Sequence, residues 1–225
     1  MDYRFLTEVI TQKPGLFRAM LDFNREYAAP EPGELTALGK PFSALWNRQD
    51  FRRAWASPAP LPQKGYWNFS EESQRLALLD SGTLEKVGLL FSAAVHAEEL
   101  SHLIARDSVL EMRQALGADV FSYALKRGRY QVGSLRGALL VPASLGTLEQ
   151  RIRMLASVSM AIISSGWPEE LRALAASRLP RPGDSSGPEE PFSPELPREQ
   201  RRALWFTMKK ILLREVAPEW APCFD

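Results

Sequence analysis

The chain has 225 residues, with 45% hydrophobic and 24% charged residues and a formal net charge of +1. That length is enough for a core that needs no covalent staples, and that balance is ordinary for a globular protein. The near-neutral charge lacks the cationic excess that usually marks a polyanion binder. The single cysteine, Cys223, excludes an intrachain disulfide and fits a reducing compartment.

Leu and Ala total 57 residues, against 15 for Val and Ile. Leu and Ala favour helices and β-branched residues favour strands. The ratio points to an all-α fold: one irregular domain over residues 1–225, with roughly 8–10 helices. The opening "MDYRFLTEVITQ" carries acidic residues and no continuous apolar run, so it does not read as a signal peptide.

"PGLFRAMLDFNREY", 14–27, places Pro at a first-turn position. Phe17, Met20, Leu21 and Tyr27 follow a helical period, with Asn24 a polar exception. "PFSALWNRQDFRRAWA", 41–56, reads as a second helix with Phe42, Leu45, Trp46, Phe51 and Trp55 near one face. "SPAPLPQKG", 57–65, is a proline-rich loop. Short helices are then expected over 70–80, 83–105, 108–116 and 118–127, punctuated by Gly82, Gly117 and Gly128. Residues 128–146 leave a helix, an irregular connection or a short strand pair open. The stretch "MLASVSMAIISSGW", 154–167, is too short to span a bilayer, which takes ~20 residues. It reads as part of a buried helix over 147–166, with Arg151 and Arg153 just upstream.

"WPEELRALAASRL", 167–179, carries Pro168 and two glutamates in its first turn, which suits the helix dipole. Residues 180–197 hold six prolines and two glycines and read as a tether or loop. In the last helix, 198–216, Leu204, Met208, Ile211 and Leu212 share a face. Arg198, Arg201, Arg202, Lys209 and Lys210 decorate the rest.

The candidate chemistry is concentrated in "VHAEELSH", 95–102, which holds the two histidines of the chain, His96 and His102, around Glu98 and Glu99. A helical zinc site of the H-E-x-x-H type needs histidines four apart. Here they are six apart, rotated by roughly 240° on a helix. Glu99-x-x-His102 copies the Glu-x-x-His spacing of di-iron bundles, but a second such pair is missing. The expected reading is the solvated side of a helix buried through Leu89, Leu90, Val95, Leu100 and Leu103. A metal-dependent enzyme using His96, Glu99 and His102 is the alternative.

"GELTALGKP" resembles a P-loop only loosely, since the glycine spacing is wrong and Pro41 stands where Ser or Thr would hold Mg²⁺. There is no G-x-S-x-G, and Cys223 lies in the terminal "APCFD", a poor place for a nucleophile. The basic clusters "FRRAW", "LKRGRY" and "REQRRALWFTMKK" interleave cations with aromatics. They leave a helical nucleic-acid binder as a further alternative, against the plainer reading of solvated helix faces.

The stretch "LEKVGLLFSAAVHAEELSHLIARDSVLEMRQALGADVFSYALKRGRYQVG", 84–133, resembles the central region of the SctK/YscK family, the cytosolic K component of type III secretion systems. The likeness rests on a Leu-Gly-Leu-type helix (Val87-Gly88-Leu89 here), a helix pair, and a stretch ending at Gly133. "FNREYAAPE", 23–31, "GWPEELRALAASRLPRP", 166–182, and the closing "VAPEWAPCF", 216–224, resemble further segments of that family in the same order. The resemblance implies a non-enzymatic adaptor without cofactor or metal. It would sit in the cytoplasm beneath the inner membrane, linking the pod (Q) protein to the cytosolic domain of the ring (D) protein, without inserting into the membrane or binding nucleic acid. Six tryptophans suit a protein that works through interfaces. Trp46, Phe51, Arg52, Arg53 and Trp55 are the expected contact surface.

Overall fold

A computed structural model describes residues 3–28, 65–180 and 192–224. The fold is all-α and irregular, with ten α-helices and no strand among the described residues. The chain divides into two compact units, Met1–Ser70 and Glu71–Asp225.

In the first unit, α1 (Tyr3–Gln12) and α2 (Pro14–Ala28) pack together across Lys13. The sequence reading had no helix over the first of these, yet Leu6 and Val9 lie one turn apart and are buried. In α2 the buried face runs through Leu16, Met20 and Phe23, and Phe17 and Leu21 are half-buried. Asn24 is on the buried side as well. Its side-chain amide donates to Met20 O at 2.9 Å and to Tyr66 O at 2.8 Å, and its Oδ1 accepts from Tyr66 N at 2.7 Å. The polar exception of the helix is therefore a clamp that fastens the 65–70 segment to α2. Edge-to-face contacts of Phe69 with Phe23 and with Tyr66 complete the seam.

The second unit is built around α3 (Ser81–Val95). Asp80 caps it by accepting from Thr83 N at 2.9 Å. Because neighbours cover most of its circumference, nine of its residues are buried, Leu84, Val87, Leu90 and Phe91 among them. The longest helix among the described residues, α8 (Leu148–Ser164), lies against it and opens with a capping box between Thr147 and Gln150. At the crossing, a Cβ on Gly88 would stand 3.1 Å from Ala156 O and 3.3 Å from Ala156 Cβ. One turn on, Ser92 Oγ donates to Ile152 O at 2.6 Å. Small residues four apart on α3 thus admit the α8 backbone.

The expected helix over 83–105 is broken at His96. A short helix, α4 (Ala97–Ser101), follows it, and then α5 (Arg106–Leu116) and α6 (Ala118–Lys126). Residues 128–146 hold α7 (Leu135–Leu139) flanked by 3₁₀ turns at Gly128–Tyr130 and Ala143–Leu145, so the strand pair left open by the sequence does not form. The expected 70–80 helix is a 3₁₀ segment, Glu72–Leu78, and α9 (Glu169–Ala175) follows buried Trp167.

Of the proline-rich stretch 180–197, residues 181–191 lie outside the described residues, and 192–197 have no regular structure. The last helix, α10 (Arg198–Ile211), buries Leu204, Met208 and Ile211 and runs on through a π turn, Leu212–Val216, into a 3₁₀ segment, Pro218–Cys223. Lys209 does not decorate the surface as expected. It donates to Glu72 Oε2 at 2.8 Å and to Phe224 O at 2.5 Å, tying the closing segment to the start of the unit. Among the described residues, no helix is long and apolar enough to cross a membrane.

Candidate functional site

The two histidines of "VHAEELSH" lie in different environments. His96 is fully buried, and this corrects the expected solvated face. Its ring Nδ1 lies 3.0 Å from Ser92 O, so Nδ1 carries the proton and donates it. Nε2 is then a lone-pair nitrogen with no partner among the described residues. Burial holds the pKa of His96 below the ordinary histidine value. The bond to Ser92 and nearby Glu99 oppose that shift, and Arg151 and Arg136 reinforce it. His102 is exposed, and its backbone N–H closes α4 on Glu98 O and Glu99 O. Leu90, Val95 and Leu100 are buried as expected, whereas Leu89 and Leu103 are half-buried.

Both carboxylates are held by arginines. Glu99 receives Arg151 of α8 through two parallel bonds, Nη1 to Oε1 at 3.1 Å and Nη2 to Oε2 at 2.6 Å. The Arg151 side chain is only 7% exposed and also donates to Val141 O at 3.0 Å. Glu98 pairs with Arg136 of α7. Two-point recognition of a carboxylate by a guanidinium is the strong form of such a pair. Arg151 escaped the sequence reading as a partner for Glu99. The signal was present as an arginine at the head of a long apolar helix, where a cation needs a buried partner.

The octapeptide therefore joins α3, α7 and α8. The two imidazoles share no face, and their carboxylate neighbours already serve guanidinium groups. Among the described residues, no group of three or more His, Cys, Asp and Glu side chains is placed to hold a metal ion.

Cys223 is not in a loose tail. It is a buried free thiol, and its carbonyl accepts from Arg75 Nη1 at 2.8 Å. Phe224 beside it is fully buried, its ring centroid 6.1 Å from that of Trp205. A cleft of about 460 Å³ opens between α3 and α8 and takes in Glu85, Arg153, Ser157 and Arg178. Its arginines are engaged with backbone, Arg153 with Ala115 O at 2.6 Å and Arg178 with Ala77 O at 3.2 Å.

The expected contact residues Trp46, Phe51, Arg52, Arg53 and Trp55 lie outside the described residues, as do "GELTALGKP" and the expected helix 41–56. Comparison with protein-family models, with curated proteins and with solved structures found no match for this chain.

Proposed function

We propose that this chain is a non-enzymatic adaptor of the type III secretion sorting platform. It works in the cytoplasm and links the pod (Q) protein to the cytosolic domain of the inner-membrane ring (D) protein. The observation that carries this reading is the ordered resemblance of residues 84–133, 166–182 and 216–224 to the SctK/YscK family. The positions that carry the likeness also have packing work to do. Gly88 admits α8 against α3, Trp167 is buried ahead of α9, and Val216–Phe224 closes onto Arg75 and Lys209. A family defined by such positions shares a scaffold and needs no shared catalytic residue, which suits an assembly role.

Co-purification with the pod protein of the same secretion system, read by light scattering after size exclusion, tests the reading. A complex of defined mass that does not form with an unrelated pod protein is the expected result. Separate elution of the two proteins, both alone and with the ring domain added, would overturn it.

A further inference from the structure

No acidic residue occurs between Asp119 and Glu149, and four cations fall in that interval: Lys126, Arg127, Arg129 and Arg136. Arg127 is paired with Glu215 at 3.1 Å, and Arg136 with Glu98. Arg129 has no acidic partner among the described residues. It stands on the wall of a cleft of about 250 Å³ whose floor is Ala94 and Ala97 and whose rim is Glu98, Ser101, Arg129, Tyr130 and Arg136.

The rim is rigid where it matters. A Cβ on Gly128 would come within 2.7 Å of Ala94 Cβ and 3.0 Å of Tyr123 Cε1, so the turn sits directly on α3. Gln131 N donates to Gly128 O at 2.8 Å, and Val132 and Leu135 are buried just beyond. The anchored turn leaves Tyr130 71% exposed. The Arg129 guanidinium lies 4.6 Å from the centre of the Tyr130 ring, and its Nη2 donates to the Tyr130 hydroxyl. Stacking of this kind orients a guanidinium while leaving other N–H groups free. Arginine and tyrosine together, preorganised and exposed, are the residue types that dominate binding hot spots.

We propose that this cleft docks an acidic segment of a partner protein, whose carboxylates are received by Arg129 and Arg136 while an apolar side chain rests on Tyr130 and the alanine floor. Arg136 can exchange its present partner, Glu98, for an incoming carboxylate, because that pair is half-exposed. Four cations, two of them already paired, are a small electrostatic footprint for a nucleic-acid occupant. The inference does not depend on the secretion-platform role.

The test is an anisotropy titration of the full chain, at low salt, with three labelled probes: a peptide of alternating glutamate and alanine, its glutamine analogue, and a short DNA duplex. The glutamate peptide should bind and the glutamine analogue should not. Arg129→Glu should weaken binding by about tenfold or more, as expected when a charged contact becomes a like-charge one. Arg106→Glu, an exposed position on α5 with the same change in net charge, should leave binding within about twofold. Arg129→Gln gives a second reading should the reversal impair folding, which circular dichroism reports. Equal weakening by the Arg106 and Arg129 reversals would overturn the proposal. So would failure of the glutamate peptide to bind at millimolar concentration, or tighter, Arg129-dependent binding of the duplex.

Discussion

Replacing Glu99 with alanine should destabilise the second unit strongly, and the structure sets the scale. Arg151 keeps its bond to Val141 O but loses both bonds to the carboxylate, and its guanidinium is left as a buried cation. Removing one partner of a buried pair costs about 3–5 kcal/mol. Glu99 itself is 33% exposed, so water reaches the pair and the loss belongs at the low end, about 3 kcal/mol. For a chain of this size that is a fall in melting temperature of roughly 6–12 °C. Urea unfolding followed by far-UV circular dichroism measures it, with the midpoint moving and the slope unchanged. Replacing both members with apolar residues, Glu99→Leu with Arg151→Met, should recover about half of the loss, since no unpaired charge remains and the Val141 carbonyl is the one group left without its donor. A loss below about 1 kcal/mol, or a double variant no more stable than the single one, would refute the reasoning.

Three further outcomes follow from other parts of the molecule. His96 is buried neutral with its pKa depressed, so the unfolded chain takes up a proton before the folded one does. Its contribution is constant above the ordinary histidine pKa of about 6.5 and is lost as pH falls below that value. Stability measured between pH 7.5 and pH 5 should therefore fall less steeply in His96→Gln than in the parent, whereas exposed His102→Gln should follow the parent. Gly128→Ala must push the turn off α3, because the new Cβ meets Ala94 and the Tyr123 ring, and should cost about 1–3 kcal/mol in a denaturation assay. Asn24→Ala removes three buried hydrogen bonds and leaves Tyr66 N–H and C=O without that partner. Amide hydrogen exchange should speed up at Tyr66, and an unchanged rate would count against the clamp.

Much of the fold could be read from the sequence because helices announce themselves locally. The Leu and Ala excess needs only the composition, and the face formed by Leu204, Met208 and Ile211 lies within one helix. What escaped depends on partners distant in sequence. Asn24 looked like an interruption because its partner, Tyr66, lies 42 residues away. Glu99 looked solvated because Arg151 lies 52 residues on, and Lys209 looked like decoration because Glu72 is 137 residues back. A helix with one wet face would put His96 in solvent. Every residue from Phe91 to Ala97 is buried, because neighbours cover this stretch on all sides, and the His96 ring lies on Ser92 O. A polar residue inside an apolar pattern is the one local sign of such pairings, and it does not say who the partner is.

The most direct test of the adaptor role is bridging. The ring protein's cytosolic domain and the pod protein should be mixed on a size-exclusion column with and without this chain, and the masses read by light scattering. The linking role requires a ternary complex with the chain present and separate elution of the two partners without it. Co-elution of the two partners irrespective of this chain, or a mixture of all three that remains separate, would contradict it.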